Sequence, residues 1–77
     1  MKKNIGIVGV TGFVGEELVS LVSSRDDLAL TFVSSVSSKG KKLSKVFPNI
    51  PIQEDLTLKS IDSIPNNLDF IFFATKH

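Results

Sequence analysis

Short apolar runs and one amphipathic stretch alternate in the first half of this chain of 77 residues. Residues 4–10 (NIGIVGV) are rich in Ile and Val, a pattern typical of a strand buried on both faces of a parallel sheet. A stretch with helical spacing follows, and its apolar positions are Val14, Leu18, Leu21 and Val22. Residues 28–35 (LALTFVSS) return to a strand pattern. We therefore predict two parallel strands joined by a helix from about Gly12 to Ser24.

The second half of the chain is less regular. Pro48 and Pro51 exclude a long regular element around them. In chain order the pattern predicts a polar loop at 37–45, a helical turn at 43–47, a short strand within 51–59, a helical turn at 61–65 and a strand at 68–75. The whole indicates an α/β fold with a parallel sheet of three or four strands. Because no helix follows the last strand, we expect residues 1–77 to be the first portion of a larger domain.

Composition narrows the possible partners to small molecules. Hydrophobic residues make up 42% and charged residues 22% of the chain, as in ordinary soluble domains. A net charge of +1 is too small to favour nucleic acid or an anionic membrane. The sequence predicts neither a signal peptide nor a membrane span, so we expect a soluble cytoplasmic protein. Since the chain has no cysteine, these residues supply no thiol nucleophile, disulfide or thiolate metal site.

Three glycines lie where the first predicted strand gives way to the helix. Gly9 permits a tight turn, Gly12 lets the backbone approach a phosphate, and Gly15 lets the helix pack close to the sheet. The helix N-terminus, with its unpaired N–H groups, suits an anion. The spacing is G-x-x-G-x-x-G and not the more common G-x-G-x-x-G. We predict a dinucleotide-binding loop with contacts from Gly9, Thr11, Gly12, Phe13, Val14 and Gly15.

Two alternatives to this interpretation stay open. The segment could be a glycine-rich turn without a ligand, in which Phe13 and Val14 serve only for packing. Thr11 could be the N-cap of the helix instead of, or in addition to, a phosphate contact.

The end of the second predicted strand indicates which dinucleotide is bound. Enzymes that bind NAD carry an acidic side chain there, which accepts hydrogen bonds from the ribose 2′-hydroxyl. Here the position is held by Ser34 or Ser35, and Lys39 follows in a basic loop. Hydroxyls and a lysine can bind a 2′-phosphate, so the sequence favours NADP as the cofactor. The alternative is that the basic loop is merely a solvated surface.

Three blocks of the chain resemble the N-acetyl-γ-glutamyl-phosphate reductase family of the semialdehyde dehydrogenase superfamily. The blocks are residues 5–18 (IGIVGVTGFVGEEL), residues 34–41 (SSVSSKGK) running on to Val46-Phe47-Pro48, and residues 69–74 (DFIFFA) with His77. The first block is shared with aspartate-semialdehyde dehydrogenases. The second and third are more similar to the arginine-pathway reductases.

The resemblance implies a partial Rossmann fold and a reaction. In that family a cysteine thiolate attacks an acyl phosphate, phosphate leaves, and hydride transfer from NADPH to the thioester gives an aldehyde. Neither the cysteine nor its partner histidine is among these 77 residues, so we expect the chain alone to be inactive. Val36 replaces a common arginine that would pair with the 2′-phosphate, and Thr75-Lys76-His77 replaces the usual Leu-Pro-His.

The resemblance thus implies the NADP-binding part of an enzyme that reduces N-acetyl-L-glutamyl 5-phosphate to the 5-semialdehyde in arginine biosynthesis. Its implied partners are NADPH and, in the full-length enzyme, the acyl-phosphate substrate, with a homo-oligomer as a possibility. Two alternatives remain: part of an aspartate-semialdehyde dehydrogenase, or a non-catalytic nucleotide-binding module. Fold similarity alone does not separate them.

Overall fold

Three parallel strands and one long helix form the framework of the protein. The structure is a computed structural model that describes residues 2–74. Its elements in chain order are β1 (Lys3–Val8), α1 (Phe13–Ser23), β2 (Leu28–Ser34), α2 (Leu43–Val46), a 3-10 turn (Ile61–Ser63) and β3 (Phe70–Phe73). Within this part of the chain, no helix is long and apolar enough to cross a membrane.

The strands pair in the order β2-β1-β3, and both pairings are parallel. This confirms the predicted α/β fold with β1 and β2 joined through a helix. The β1–β2 register contains one irregularity: Ile5 pairs with Leu30 but Gly6 pairs with Phe32, so Thr31 has no partner in β1. Thr31 is therefore a bulge, and it is exposed. After the bulge, Ser34 pairs with Val8, which ends both strands together.

The buried face of α1 differs from the face that the spacing of apolar residues predicted. Gly15, Val19 and Val22 are buried, whereas Val14 and Leu21 are exposed. The reason is that Gly15, a residue without a side chain, packs against the backbone of Val10 in the loop that follows β1, and this contact sets the orientation of α1. The main core is a single cluster formed by Ile5, Ile7, Val10, Val19, Val22, Leu30, Val33, Leu43, Phe47 and Leu58.

Several element boundaries differ from the predicted ones. The first strand, predicted at 4–10, ends at Val8 because the N–H groups of Gly9 and Val10 both turn to the carbonyl of Ser34. The predicted strand at 68–75 is observed only at Phe70–Phe73, and Thr75 lies outside the described residues. The strand predicted within 51–59 is reduced to two isolated bridges, Ser34–Lys59 and Lys42–Thr57.

Gln53 ties the irregular second half to the strand–helix–strand unit. Its Nε2 donates to the carbonyl of Leu28 at 2.9 Å, with longer contacts to the carbonyls of Val22 and Arg25. Its Oε1 accepts the N–H of Leu30 at 3.2 Å. One amide side chain therefore occupies backbone groups at the end of α1 and at the outer edge of β2, and it fixes the segment around the two prolines.

Candidate functional site

The ends of all three strands meet at one cleft. Gly9 follows β1, Ser35 follows β2 and Ala74 follows β3, and all three line a cavity of about 690 Å³. The described residues that line it are Gly9, Thr11, Gly12, Phe13, Val14, Ser35, Val36, Ser37 and Ala74. In open parallel sheets, ligands bind outside the carboxyl ends of the strands, where this cleft lies. Among residues 2–74, no charged side chain lines the cleft, so the polarity of this described part comes from backbone groups and hydroxyls.

The glycine loop is held by the backbone of β2. The carbonyl oxygen of Ser34 accepts the N–H groups of Gly9 at 3.1 Å and of Val10 at 3.0 Å. Gly9 adopts φ 73 and Gly12 adopts φ 123, conformations that residues with a Cβ rarely adopt. A Cβ at Gly12 would meet no atom within 4 Å, so this position faces open space in the cleft. The loop thus leaves room for a ligand directly against its backbone.

The first turn of α1 presents backbone N–H groups to the cleft. Gly12 is the N-cap, and no side chain caps the helix. The first intrahelical bond joins the Glu16 N–H to the Gly12 carbonyl at 2.9 Å, so the preceding N–H groups have no helical partner. Phe13 and Val14 belong to this turn and line the cleft. An anion placed here would also benefit from the helix dipole.

Thr11 is not the N-cap, so this alternative was wrong. Its hydroxyl lies instead 3.5 Å from the hydroxyl of Ser35, across the cleft floor from the glycine loop to the end of β2. The physical reason is that Gly12, with its positive φ, takes the cap position and turns the chain so that Thr11 faces β2.

The two serines that were predicted to bind the ribose 2′-phosphate have different environments. Both are buried, Ser34 with 3% and Ser35 with 4% of its surface exposed. Ser35 lines the cleft, while Ser34 lies behind it and contributes its carbonyl to the glycine loop. The Oγ of Ser35 accepts the N–H of Ser38 at 3.0 Å. Of the pair, therefore, only Ser35 has a side chain at the cleft.

Lys39 and Gly15 lie outside the set of residues that line the cleft. Lys39 is exposed and follows Ser38, outside the cleft lining. Its charge would therefore act on a bound ligand from beyond the residues that line the cleft. At Gly15 a Cβ would lie 1.8 Å from the carbonyl oxygen of Val10. Gly15 therefore lets the first turn of α1 pack directly against the backbone of Val10, in the loop that follows β1, and it does not face the cleft itself.

Sequence reasoning did not include Ser37 or Ala74 among the site residues, although both line the cleft. Ser37 belongs to the serine-rich loop after β2, and its place in that loop, two residues beyond Ser35, was the available signal. Ala74 follows the third parallel strand, and strand order alone would have placed it at the same edge.

Comparison with known proteins gives the family of this arrangement. Residues 4–77 match the family described as semialdehyde dehydrogenase, NAD binding domain. The chain belongs to this family. The match includes the glycine loop, β2 with its serine-rich loop, and β3, which together form the cleft.

The chain is also similar to curated proteins that are named as reductases. The chain is 32% identical over 77 residues to the N-acetyl-gamma-glutamyl-phosphate reductase of Campylobacter jejuni, covering all of this chain and 22% of that protein. It is 36% identical over 73 residues to the protein of the same name from Clostridium beijerinckii, covering 95% and 21%. The chain thus spans about a fifth of the length of these relatives.

A solved structure shows the same fold. The aspartate semialdehyde dehydrogenase of Candida albicans, crystallised with NADP, superimposes with a TM-score of 0.78 at 22% identity. The superposition covers 99% of this chain and 24% of that protein. This similarity confirms the predicted α/β architecture of the semialdehyde dehydrogenase domain.

Proposed function

We propose that this chain is the cofactor-binding part of an NADPH-dependent reductase that converts N-acetyl-L-glutamyl 5-phosphate to N-acetyl-L-glutamate 5-semialdehyde in arginine biosynthesis. The observation that carries the proposal is the similarity, over essentially the whole chain, to curated reductases of that name. Similarity to the Candida albicans enzyme supports the fold alone, so an aspartyl substrate has less support.

The cleft fits a dinucleotide phosphate. Gly12 leaves space beside its backbone, and the first-turn N–H groups of α1 have no capping side chain. A pyrophosphate would bind there through the backbone and helix dipole, without a charged side chain. Gly9, Thr11, Phe13 and Val14 line this part of the cleft.

The opposite side of the cleft suits a ribose that carries a 2′-phosphate. The exposed Ser37 offers a hydroxyl beside the buried Ser35, and none of the lining residues that the structure describes is a carboxylate that would repel a phosphate. Lys39 adds a positive charge from the neighbouring loop. These features support NADP over NAD as the cofactor of the complete enzyme.

The bound nicotinamide would supply a hydride to the acyl carbon. In this proposal the residues of this chain bind and orient the cofactor. None of the 77 is a cysteine that could attack the substrate. We therefore expect the purified chain to show no turnover with NADPH and N-acetylglutamyl phosphate. Measurable turnover by a preparation free of other enzymes would contradict the proposal that this chain binds the cofactor but does not supply the nucleophile.

A titration followed by NMR tests the proposal on the chain itself. A strand–helix–strand half of a Rossmann domain binds the adenosine side of the dinucleotide, so adenosine 2′,5′-bisphosphate and AMP, which differ only in the 2′-phosphate, are suitable probes. We expect shifts at the amides of Gly12, Phe13 and Ser37, with tighter binding of the bisphosphate. Absence of shifts for both probes, in a chain that NMR shows to be folded, would refute nucleotide binding.

The reading frame downstream of His77 separates the enzyme from a stand-alone module. A continuous frame that encodes a cysteine and a later histidine supports the reductase, and assays with N-acetylglutamyl phosphate and aspartyl phosphate then identify the substrate. A stop codon directly after His77 would favour a non-catalytic nucleotide-binding module.

A further inference from the structure

The loop that follows β2 keeps its shape without packing of its own side chains. Val36 is fully exposed and Ser37 is exposed, yet both line the cleft. Exposed side chains do not fix a backbone, so the position of this loop depends on hydrogen bonds at its two ends. At its far end the Lys41 N–H donates to the Ser38 carbonyl at 3.1 Å.

Ser35 provides the contacts at the near end. Its backbone N–H donates to the carbonyl of Lys59 at 3.1 Å, and its Oγ accepts the N–H of Ser38 at 3.0 Å. A serine hydroxyl that accepts an N–H a few residues ahead closes a turn, here around Val36 and Ser37. Because Ser35 is 4% exposed, this turn is anchored in the buried part of the protein.

The same hydroxyl has two further hydroxyl neighbours. The oxygens of Thr11 and Ser37 each lie 3.5 Å from Ser35 Oγ, a separation longer than a strong hydrogen bond. The N–H of Ser38 is therefore the principal hydrogen-bond partner of the Ser35 hydroxyl. The two long contacts place the Ser35 hydroxyl between Thr11 of the glycine loop and Ser37. Loss of this hydroxyl would therefore change the position of Ser37 relative to the glycine loop.

We propose that Ser35 is a positioning residue for recognition of a ribose 2′-phosphate: it holds the loop 36–38 so that Ser37 is in place before the ligand arrives. This inference rests on the proposed function, because it assumes that the cleft binds an adenine nucleotide. A preformed loop loses less conformational entropy on binding, and the gain is confined to the ligand group that the loop contacts.

Hydrogen exchange measured by NMR tests the positioning role without any ligand. In Ser35→Ala the Ser38 amide loses its acceptor, and its exchange is expected to accelerate about three- to tenfold. Ser35→Thr keeps the hydroxyl and should restore slow exchange. Ser24→Ala removes a serine hydroxyl that donates to the Leu21 carbonyl at 2.8 Å, far from the cleft, and should leave Ser38 unchanged.

Ligand titration tests the consequence for specificity. We expect Ser35→Ala to weaken binding of adenosine 2′,5′-bisphosphate about fivefold, while the affinity for AMP, which lacks only the 2′-phosphate, changes less than about twofold. Ser35→Thr should recover most of the loss. A merely structural role would weaken both nucleotides equally, and that result would overturn the proposal.

The two measurements keep this inference separable from the proposed function. Failure of the wild-type chain to bind either nucleotide would refute the proposed function, and with it the specificity role of Ser35. Unchanged Ser38 exchange in Ser35→Ala would refute the positioning role even if nucleotide binding is normal.

Discussion

A Cβ added to Gly15 would lie 1.8 Å from the carbonyl oxygen of Val10, closer than any real contact. The obstacle is backbone on both sides, so no side-chain rotation relieves it. We predict that Gly15→Ala destabilises the fold by about 3 kcal/mol, the upper part of the range for overpacking. A domain of this size has only a few kcal/mol to lose. Urea denaturation followed by circular dichroism measures the change.

Ser20→Ala is the matched control for this substitution. Ser20 lies on the same helix, is exposed, and gains helix propensity as alanine. Its free energy of unfolding should stay within about 0.5 kcal/mol of the wild-type value. Equal stabilities of the Gly15 and Ser20 variants would show that α1 moves away from the Val10 backbone at no cost, which would contradict the close packing at Gly15.

The same glycine explains both what the sequence predicted and what it did not. Glycine spacing after a strand identified the loop and the helix, because that pattern has few structural alternatives. Apolar periodicity indicated Val14 and Leu21 on the helix core face, but the contact through Gly15 turns them outward. Periodicity weighs side chains only, whereas here the absence of a side chain sets the orientation.

The predicted roles of the serines depended on information that is not local. From sequence, Ser34 and Ser35 were equivalent candidates at a strand end. The bulge at Thr31 brings Ser34 opposite Val8 and leaves Ser35 just beyond the strand, at the cleft. A bulge arises from pairing with a neighbouring strand, so a single strand sequence does not reveal it.

Gly12→Val should weaken nucleotide binding by roughly tenfold or more, the equivalent of about 1.4 kcal/mol. A branched side chain would occupy the open space beside the loop that a pyrophosphate needs. Because Gly12 adopts φ 123, the variant will also be strained, and its stability must be measured alongside its affinity. Titration with ADP, in a chain verified as folded by its NMR spectrum, gives the comparison.

Gly40→Val is the control that separates the effect of backbone strain from the effect of filling the phosphate site. Gly40 has φ 92, a Cβ there would also meet nothing within 4 Å, and it does not line the cleft. We expect this variant to lose stability but to keep its ADP affinity within about twofold of wild type. An affinity loss of the same size in both variants would indicate that strain, and not the occupied space at Gly12, weakens binding.

Asp55 should make stability depend on acid pH. Its carboxylate accepts the backbone N–H of Ser44 at 2.9 Å and the Ser44 hydroxyl at 2.8 Å, and these bonds lower the pKa of Asp55 in the folded state. A lowered pKa stabilises the fold above the pKa of the unfolded chain, and this contribution is lost as pH falls through the folded-state value. Thermal unfolding between pH 7 and about pH 3 should show this decline.

Asp55→Asn should flatten this part of the pH profile. The amide keeps an oxygen acceptor but has no proton to gain in this range. Asp26→Asn changes the same charge at an exposed turn position and serves as the control. If the Asp55 variant retains the full wild-type decline, the interaction with Ser44 contributes nothing to acid stability.

The last prediction concerns the preference for NADPH over NADH. Val36, which stands in place of an arginine, lowers this preference, whereas the positive charge of Lys39 raises it. Val36 lines the cleft and is fully exposed, so Val36→Arg loses no packing and adds a guanidinium that can pair with a phosphate through two hydrogen bonds. Such bonds contribute about 1–3 kcal/mol, roughly a five- to hundredfold gain for the 2′-phosphorylated nucleotide. Lys39→Ala should narrow the preference, mainly by weakening that same ligand.

Titrations with adenosine 2′,5′-bisphosphate and AMP, which differ only in the 2′-phosphate, and with NADPH and NADH for the complete enzyme, compare the three proteins. Lys39 lies on an exposed loop outside the cleft lining, so its effect should be the smaller and should fade at high ionic strength. Lys45→Ala, at the end of α2, removes the same charge outside the cleft lining and serves as the control. Equal affinities of the wild type for both members of each pair, or an equal effect of Lys39→Ala on both, would show that this loop does not distinguish the 2′-phosphate.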